Sequence, residues 1–369
     1  MKLEGVRVLD LSLFLPGPML TLMMADHGAD VIKIEPPGEG EPTRHIGYVK
    51  NGASVWFRNT HRGKRSVSLN LKTPEGLADF HALAAQADVI VEAFRPGVAD
   101  RLGVGYDAVR AYNPGVVYCA VSAFGQSGAY RDLPAHDVAV QALAGVVSLN
   151  QGQDGKPTMP HMPVADALSS LTALSGVLMA LLRRQTTGQG DYLDVSMYDA
   201  TLAWTPNVTG RIFATGQAHE PKAERSWGGA AFYNLYECAD GQWIVLGGSE
   251  LKFARNLLTA LDWPDLIDIA ARPPGPEQEP LRAFLRETFR GRTRAEWEDW
   301  FQGRDICFAP VRTLKDAFDD PATTARGMLA RDAEGNEVVG TPILFREEPA
   351  RIDPALPPPP VPAAKAGWR

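Results

Sequence analysis

The first 130 residues alternate between segments typical of β-strands and segments typical of α-helices, and this alternation constrains the fold more than any other feature. Short runs rich in Val, Ile and Leu recur, separated by segments with helix start and stop signals such as Thr73-Pro74. The predicted strands are residues 6–11, 31–34, 66–71, 88–92 and 116–121, and the first predicted helix is residues 19–27. The alternation predicts a Rossmann-like α/β domain with a largely parallel sheet covered on both faces.

A sheet of this kind binds ligands at the carboxyl ends of its strands, so nucleotide binding is the first function to consider. No GxGxxG motif follows the first predicted strand, and no GxxxxGK[ST] motif occurs anywhere in the sequence. The glycine-rich loops that cradle a dinucleotide or a nucleoside triphosphate are therefore missing. The sequence disfavours both an NAD-dependent dehydrogenase and a P-loop NTPase.

The rest of the sequence predicts a second, smaller domain. Its clearest signal is a β-hairpin in which strands at residues 231–236 and 243–246 flank a turn at Asp240-Gly241. Helical segments between residues 251 and 289 complete a small α+β domain. The predicted organisation is a large α/β domain in 1–205, a linker in 206–228, the small domain in 229–305, and a return segment with a proline-rich tail in 306–369. The tail is expected to be extended or loosely wrapped over the surface.

Charge and cysteine content argue against several classes of protein. The net charge of −7 and the pI near 5.6 argue against nucleic acid as the main partner. Three cysteines without a CxxC pair and seven histidines without an HExxH pair give neither a disulfide framework nor a zinc site. No signal peptide is recognisable, and no uncharged apolar stretch approaches the ~18 residues of a membrane span. We expect a cytoplasmic protein with no metal and no membrane or nucleic-acid partner.

A histidine and a carboxylate are candidates for moving a proton on and off one carbon atom. His136, followed by Asp137, lies at the start of an apolar segment. Asp166 begins a predicted helix over residues 166–184, which is apolar on more than one side and is expected to be buried. Both residues also have structural explanations, because Asp166 can be a helix N-cap and His136 can be a structural histidine. Asp137 can support the histidine's loop or bind backbone amides.

Two basic segments are candidates for holding an anionic ligand. Residues 62–65, Arg-Gly-Lys-Arg, precede the third predicted strand, and Lys72 closes it. Phe94 and Arg95 follow the fourth predicted strand, and Arg101 lies one turn into the next helix. Arginine side chains and helix N-termini are suited to phosphate oxygens. The alternative is a solvated basic face with surface salt bridges.

Six stretches in order give the sequence a family resemblance. They are residues 28–38 (GADVIKIEPPG), 64–67 (KRSV), 87–97 (ADVIVEAFRPG), 113–114 (NP), 124–128 (FGQSG) and 187–197 (TGQGDYLDVSM). On these stretches the chain resembles the class III CoA-transferase superfamily, also called the CaiB/BaiF family, over nearly its whole length. The resemblance implies a CoA thioester as ligand, an intertwined homodimer, and no cofactor other than the coenzyme A carried by the substrate.

The superfamily contains two reaction types that use the matching aspartate differently. In the transferases an aspartate in the position of Asp166 attacks the acyl thioester and forms covalent intermediates. In the α-methylacyl-CoA racemases it is an acid/base that works opposite a histidine in a Gly-His-Asp motif, which His136-Asp137 resembles with an alanine in front. The segment around Glu250 also resembles the racemase pattern. The resemblance therefore favours epimerisation of the α-carbon of a 2-methylacyl-CoA through an enolate, with CoA transfer through Asp166 as the alternative.

The resemblance also implies roles for individual residues. Glu250 would hold the imidazole tautomer, and the enolate oxygen would rest on backbone N–H groups where the Asp166 helix begins. That helix N-terminus lowers the pKa of an aspartate, whereas partial burial raises it. The CoA-binding candidates are Lys72, Arg95 and Arg101 for the phosphates, Phe94 near the ligand, and Leu15 and Pro16 beside the thioester arm. The sequence departs from the family pattern at Ser170, usually glycine, at Pro36, often basic, and at Ala93, frequently asparagine.

Overall fold

The computed structural model describes residues 1–152 and 154–369, and it divides into two compact units. The first unit comprises Met1–Ser148, Met159–Pro206 and Asp320–Arg369. The second comprises Leu149–Thr158 and Asn207–Asp319. Each unit contains a sheet and a hydrophobic core of its own.

The secondary structure follows the chain in three blocks. Up to Pro206 the strands are β1 (Arg7–Asp10), β2 (Asp30–Glu35), β3 (Val49–Lys50), β4 (Ala53–Ser54), β5 (Arg65–Ser68), β6 (Val89–Glu92), β7 (Val117–Ser122) and β8 (Asp191–Ser196). The helices of this block are α1 (Pro16–Asp26), α2 (Val55–His61), α3 (Pro74–Ala84), α4 (Val98–Arg101), α5 (Tyr106–Arg110), α6 (Asp137–Leu143), α7 (Val164–Thr187) and α8 (Met197–Ala203). The second block contains β9 (Tyr233–Glu237), β10 (Trp243–Gly247), β11 (Phe308–Pro310), α9 (Gly210–Thr215), α10 (Leu251–Ala260), α11 (Ile267–Ala270), α12 (Glu279–Phe289), α13 (Arg294–Phe301) and α14 (Leu314–Asp319). The last contains α15 (Pro321–Ala325), β12 (Leu329–Arg331), β13 (Glu337–Val339) and β14 (Val361–Pro362).

Within the described residues, the first unit is built on a seven-stranded sheet in the order β14-β5-β2-β1-β6-β7-β8. Neighbouring strands are all parallel, which confirms the predicted α/β sheet. The chain builds one side of the sheet from β1 outward and then returns to build the other side from β6 outward. The strand order therefore reverses between β1 and β6, where the carboxyl ends of the strands form a crevice suited to a ligand.

Alternate residues of the central strands point to opposite faces of this sheet and build two cores. Leu9 and Ile90 belong to the core on the α3 face, whereas Val8 and Val89 belong to the core beneath α1 and α7. Both faces are covered, so these strands are continuous apolar runs that the sequence pattern predicts well.

A cluster of buried charges lies at the carboxyl end of β1. Asp10 is fully buried, with Oδ1 at 3.3 Å from Lys33 Nζ and Oδ2 at 3.0 Å from Lys64 Nζ. The hydroxyls of Ser12 and Thr21 donate to the same carboxylate at 2.5 and 2.6 Å. Burial acts to raise the pKa of Asp10, but the two ammonium groups hold it well below its usual range, and burial lowers the pKa of Lys64 to about 8. The cluster joins β1 to β2, to α1 and to the segment before β5.

The C-terminal tail is more tightly integrated than a loose wrap over the surface. Strand β14 pairs with β5 at the edge of the sheet, and Ala366 is buried in the core. The Trp368 indole N–H donates to the carbonyl oxygen of Leu83 at 3.2 Å, and Arg65 Nη1 donates to the carbonyl oxygen of Gly367 at 2.9 Å. The last residues of the chain are therefore part of the first unit.

The second unit is an antiparallel sheet with helices packed against it. Its strand order is β11-β10-β9, and β9 and β10 form the predicted hairpin. Helices α10, α12 and α13 contribute to a core that contains Phe289 and Trp297, and the Trp297 indole N–H donates to the Phe289 carbonyl oxygen at 2.9 Å. The expected small α+β domain is present, and α10 and α12 correspond to its predicted helices.

The limits of the units differ from the predicted domains in three places. Residues 206–228, predicted as a linker, largely belong to the second unit, where Gly229 N–H donates to the Glu224 carbonyl oxygen at 3.0 Å. The segment Leu149–Thr158, predicted as part of the large domain, also belongs to the second unit. Lys222 Nζ donates to the Gly152 carbonyl oxygen at 2.6 Å and so connects this segment to that unit. Residues 306–319, predicted to return to the large domain, instead include β11, which pairs with β10.

Helix α7 is buried on one face only, contrary to the expectation from its composition. Ala173 and Val177 are fully buried against the sheet, whereas Met179 and Leu182 are 69% and 67% exposed. Among the described helices, α7 alone is long and apolar enough to cross a membrane, but the core helix of a soluble protein passes the same test. The structure leaves an apolar stripe of α7 directed away from the sheet.

Replacing Asp10 by Asn is expected to destabilise the first unit strongly. The substitution keeps the size of the side chain but leaves the buried ammonium groups of Lys33 and Lys64 without an opposite charge. Breaking a buried ion pair in this way costs about 3–5 kcal/mol. Urea denaturation followed by tryptophan fluorescence measures the loss. Asp79→Asn, the same change at an exposed position of α3, is the control and should cost under ~0.5 kcal/mol, so equal midpoints for the two variants would contradict the role of Asp10.

Candidate active site

Three segments of the first unit meet at the crevice between β1 and β6. The loop from β1 to α1 contacts the second turn of α7, where Ser170 Oγ donates to the Pro16 carbonyl oxygen at 2.7 Å. The same loop contacts the start of α6 through an edge-to-face pair between Phe14 and His136, with ring centroids 6.1 Å apart. The starts of α6 and α7 are joined by the Asp166 N–H, which donates to Asp137 Oδ1 at 3.1 Å. The candidates Pro16, His136 and Asp166 therefore belong to one site.

The loop is held in an unusual conformation by a buried carboxylate. Phe14 has a φ of 64°, a left-handed conformation that is rare for a bulky residue. Its N–H donates to Glu41 Oε1 at 2.9 Å, and Glu41 is fully buried. Local strain of this kind is concentrated at functional sites. Leu15 and Pro16, predicted to lie beside the thioester arm, follow directly and are half-buried.

Asp166 is the third residue of α7 and is not its N-cap, which is Pro163. The structural explanation of Asp166 as a capping residue is therefore wrong. Its side chain is partly buried, and burial together with the negative charge of Asp137 raises its pKa to about 7. The effect of the helix N-terminus on the pKa is outweighed. Asp166 is therefore a carboxyl group that exists in both protonation states near neutral pH.

Asp137 connects the two helices of the site. Its Oδ1 accepts the Asp166 N–H, and its Oδ2 accepts a hydrogen bond of 2.6 Å from Gln141 Nε2. Gln141 is fully buried and also donates to the Met162 carbonyl oxygen at 3.2 Å. The hypothesis that Asp137 binds a backbone amide is confirmed. Gln141 was missed in the sequence, although its position one helical turn after Asp137 was a usable signal.

His136 lies at the N-cap position of α6, with an extended backbone and an exposed side chain. It is therefore not a histidine satisfied inside the core. The structure brings it next to Asp137 and Phe14, at the edge of the site that contains Asp166.

Glu250 lies in the second unit, at the N-cap position of α10, where it is exposed. Its side chain makes no capping hydrogen bond within the described part of the chain. The capping explanation for its carboxylate is therefore not supported, and the predicted partnership with His136 remains a prediction.

Basic side chains converge at the loop after β6. A Cβ atom placed on Gly97, which has a φ of 77°, would lie 3.2 Å from Arg101 Nη1 and 3.5 Å from Arg131 Nη2. Arg95 is exposed in the same loop. Arg131 was missed in the sequence, because only the folded loop brings it beside Arg101. These groups are suited to anionic oxygens at the carboxyl end of a strand.

The remaining phosphate candidate, Lys72, is exposed beyond β5, with its N–H bonded to Asn70 Oδ1 at 3.1 Å. Strands β2 and β1 separate β5 from β6, so Lys72 lies along the same edge as Arg101 but farther from the switch point.

The basic segment at residues 62–65 does not form an anion site. Arg62 makes a buried two-pronged ion pair with Asp26, at 3.1 and 2.7 Å. Lys64 belongs to the buried Asp10 cluster, and Arg65 pairs with Asp30 at 2.7 Å. The charges of this segment are matched by carboxylates distant in sequence, so both the ligand-binding prediction and the solvated-face alternative are wrong.

A second buried carboxyl group supports the loop after β6. Glu92 is 4% exposed, and its Oε2 accepts the Phe94 N–H at 2.6 Å. Burial, with smaller contributions from Asp100 and Asp194, raises the pKa of Glu92 to about 7. The hydrogen bond fixes the start of the segment that carries the CoA candidates Phe94 and Arg95. A lone acidic residue at the end of an all-apolar strand was the signal in the sequence.

Comparison with known proteins places the fold and the site in a family. Residues 3–361 match the profile of CoA-transferase family III. The chain is 33% identical over 334 residues to succinyl-CoA–D-citramalate CoA-transferase of Chloroflexus aurantiacus, covering 89% of this chain and 80% of that protein. It is 32% identical over 338 residues to alpha-methylacyl-CoA racemase of Homo sapiens, covering 90% and 84%. A solved CAIB/BAIF family protein from Brucella suis has a TM-score of 0.85 at 28% identity, covering 97% and 96%.

The matched range of residues 3–361 contains the parallel sheet up to β14, the Phe94-Arg95 loop and Asp166. Its coverage of both units excludes a likeness limited to the common Rossmann-like sheet. The chain therefore belongs to CoA-transferase family III, the CaiB/BaiF family, an enzyme family whose members act on acyl-CoA thioesters.

Proposed function

We propose that this protein transfers coenzyme A between carboxylic acids, with Asp166 as the nucleophile. The observation that carries the proposal is a partly buried carboxyl group at the start of α7 that is neither a helix cap nor one half of an ion pair in the described chain. Several CoA-transferases also match this chain more strongly than the human racemase does. The preference for racemisation derived from the His136-Asp137 motif is therefore not retained as the leading function.

The proposed reaction proceeds through covalent intermediates on Asp166. The carboxylate attacks the thioester carbonyl carbon, the carbon–sulfur bond breaks, and coenzyme A leaves as a thiolate. The thiolate then attacks the aspartyl carbonyl carbon of the mixed anhydride, which releases the first acid and leaves an aspartyl thioester. The incoming carboxylate attacks the carbonyl carbon of the aspartyl thioester, which breaks the carbon–sulfur bond, releases the thiolate and forms a second mixed anhydride. The thiolate then attacks the carbonyl carbon of the new acid, which forms the new acyl-CoA and releases the Asp166 carboxylate. Each step exchanges one acyl bond for another, so no metal or redox group is required.

The first unit supplies groups suited to this reaction. The positive end of the α7 helix dipole would stabilise an oxyanion on the carbonyl undergoing attack. The guanidinium groups of Arg95, Arg101 and Arg131 would hold phosphate oxygens of coenzyme A. Leu15 and Pro16 would border the thioester arm. Coenzyme A is a part of the substrate in this proposal, and the cytoplasmic location remains a prediction.

A second candidate function is proton transfer at the α-carbon of a 2-methylacyl-CoA. A carboxyl group with a pKa of about 7 is suited to act as a base or an acid near neutral pH. His136 is exposed at the start of the adjoining helix, where it would act on the opposite face of the same carbon. Glu250 would orient the imidazole in this reaction.

Two assays on the same variants distinguish the two functions. For transfer, exchange of labelled free coenzyme A into an acyl-CoA is expected in the wild type. It should fall more than roughly a thousandfold in Asp166→Ala, because the nucleophile is lost, and less than about tenfold in His136→Ala. Hydroxylamine should trap Asp166 as a hydroxamate that mass spectrometry detects.

Racemisation would give a different result in these assays. Incubation of a 2-methylacyl-CoA in D2O without an acceptor acid would incorporate deuterium at the α-carbon. Incorporation that is lost in both Asp166→Ala and His136→Ala, without any exchange of coenzyme A, would replace transfer by racemisation.

The transfer rate should depend on pH through the ionisation of Asp166. The carboxylate is the nucleophile, so kcat/KM is expected to rise with pH with a midpoint near the raised pKa of about 7. Asp137→Asn removes a neighbouring negative charge and should move the midpoint to lower pH. The asparagine can still accept the Asp166 N–H, so the hydrogen bond between α6 and α7 is kept.

Asp107→Asn is the matched control for this experiment. Asp107 is an exposed carboxylate in the first turn of α5, so the same charge change there should leave the midpoint in place. A midpoint that is identical in Asp137→Asn and in the wild type would show that Asp137 does not control the ionisation of Asp166.

We also propose that two copies of the chain associate through the apolar stripe of α7. Met179 and Leu182 are among its most exposed side chains, and exposed apolar patches of this kind commonly mark an interface. Light scattering after gel filtration should show a dimer for the wild type and a folded monomer for a variant with Met179→Glu and Leu182→Glu. Gln185→Glu, an exposed position on the same helix, should remain dimeric. A monomeric wild type at micromolar concentration would exclude the association.

A further inference from the structure

The second unit contains a cavity that none of the candidate site residues lines. It has a volume of about 360 Å³, at the small end of the roughly 300–1,000 Å³ typical of ligand cavities. Its walls come from the segment before β9, the start of α10 and the segment that joins α11 to α12. Much of the wall is apolar, with Phe232, Leu251, Ala254 and Pro274 among the lining residues.

Two arginines line this cavity without an acidic residue among its described lining. Arg225 Nη1 donates to Ser249 Oγ at 2.8 Å, and its guanidinium carbon lies 5.8 Å from the centroid of the Tyr233 ring. These contacts orient Arg225 without neutralising its charge. Arg272 makes no ion pair within the part of the chain that the structure describes. The cavity therefore carries two uncompensated positive charges.

Pairing varies among the arginines of this unit. Arg290 pairs with Glu237 at 3.0 Å, whereas the exposed Arg255 makes no ion pair within the described residues. Arg225 and Arg272 are exposed as well, so they are distinguished by lining one cavity together and not by the lack of an acidic partner alone.

The backbone around the cavity is fixed by a buried glutamine. Gln278 is 5% exposed, and its Oε1 accepts the Ala231 N–H at 2.8 Å. Its Nε2 donates to the carbonyl oxygens of Ala270 at 3.3 Å and Arg272 at 2.6 Å. Gln278 thus connects the segment before β9 to the segment that follows α11. It also fixes the main chain of Arg272 and leaves the guanidinium of that residue available for a ligand. A preorganised wall reduces the entropy that a ligand must lose on binding.

We propose that this cavity binds a short aliphatic dicarboxylate. Each guanidinium can accept one carboxylate through paired N–H donors, and the chain between the carboxylates would lie on Phe232 and Ala254. The double negative charge of the ligand would balance Arg225 and Arg272. The inference goes beyond CoA transfer and does not depend on it, because a free diacid needs neither Asp166 nor coenzyme A to bind.

Calorimetric titration of the full-length protein, without coenzyme A, tests the site. Succinate or glutarate should bind saturably to the wild type, and Arg225→Gln and Arg272→Gln should each weaken the Kd by roughly tenfold or more. Arg255→Gln, the same change at an exposed position of α10 outside the cavity, should leave the Kd unchanged, as should Asp166→Ala. Butyrate should bind at least as weakly as succinate binds to the arginine variants, and the uncharged succinamide should not bind.

Three outcomes would overturn the proposal: no saturable binding of either diacid, an unchanged Kd in both arginine variants, or inorganic phosphate binding as tightly as the diacid at the same site. Steady-state kinetics then shows whether the bound diacid affects turnover. A diacid-dependent change of kcat for a monocarboxylate acceptor that is lost in Arg272→Gln identifies an effector, whereas an unchanged kcat identifies a ligand without effect on the reaction, and either result supports the site.

Discussion

The buried carboxylate of Asp10 ends β1 beside the point at which the strand order reverses, and the geometry of the candidate active site depends on the contacts that it makes. Lys33 comes from β2 and Lys64 from the segment before β5, so a single side chain joins three neighbouring parts of the sheet. Lys33 Nζ also donates to the Ser12 carbonyl oxygen, which sets the path of the loop after β1. Because that loop continues to Phe14 and Pro16, the charge cluster determines where His136 and α7 are contacted.

Burial and the neighbouring carboxylate of Asp137 raise the pKa of Asp166, and they outweigh the α7 N-terminus, which lowers it. A helix N-terminus favours a charged aspartate, yet the loss of solvent and the proximity of Asp137 raise the pKa to about 7. The same hydrogen bond that brings Asp137 close also secures the first turn of α7. The contact between Asp137 and Asp166 therefore has two effects. A substitution that moves α6 away from α7 would weaken the hydrogen bond and would also change the pKa of Asp166, the candidate nucleophile.

The sequence predicted the features that depend on local pattern and missed those that depend on distant partners. The central strands were recognisable because both of their faces are covered, which makes them continuous apolar runs. Strand β14 was not recognisable, because two residues in a proline-rich run gain their pairing only from β5. The basic segment at residues 62–65 was misassigned for a related reason, since Asp26 and Asp10 meet it only after folding. Asp166, His136 and the Phe94-Arg95 loop could be proposed as site residues from the sequence because their motifs are local.

Cationic side chains form two separate clusters, one in each unit. In the first unit, Arg101 and Arg131 converge beside Gly97, where they suit the phosphates of coenzyme A. In the second unit, Arg225 and Arg272 line a separate cavity without acidic partners in its described lining. The two sites suit different proposed ligands, the phosphates of coenzyme A in the first unit and a free diacid in the second.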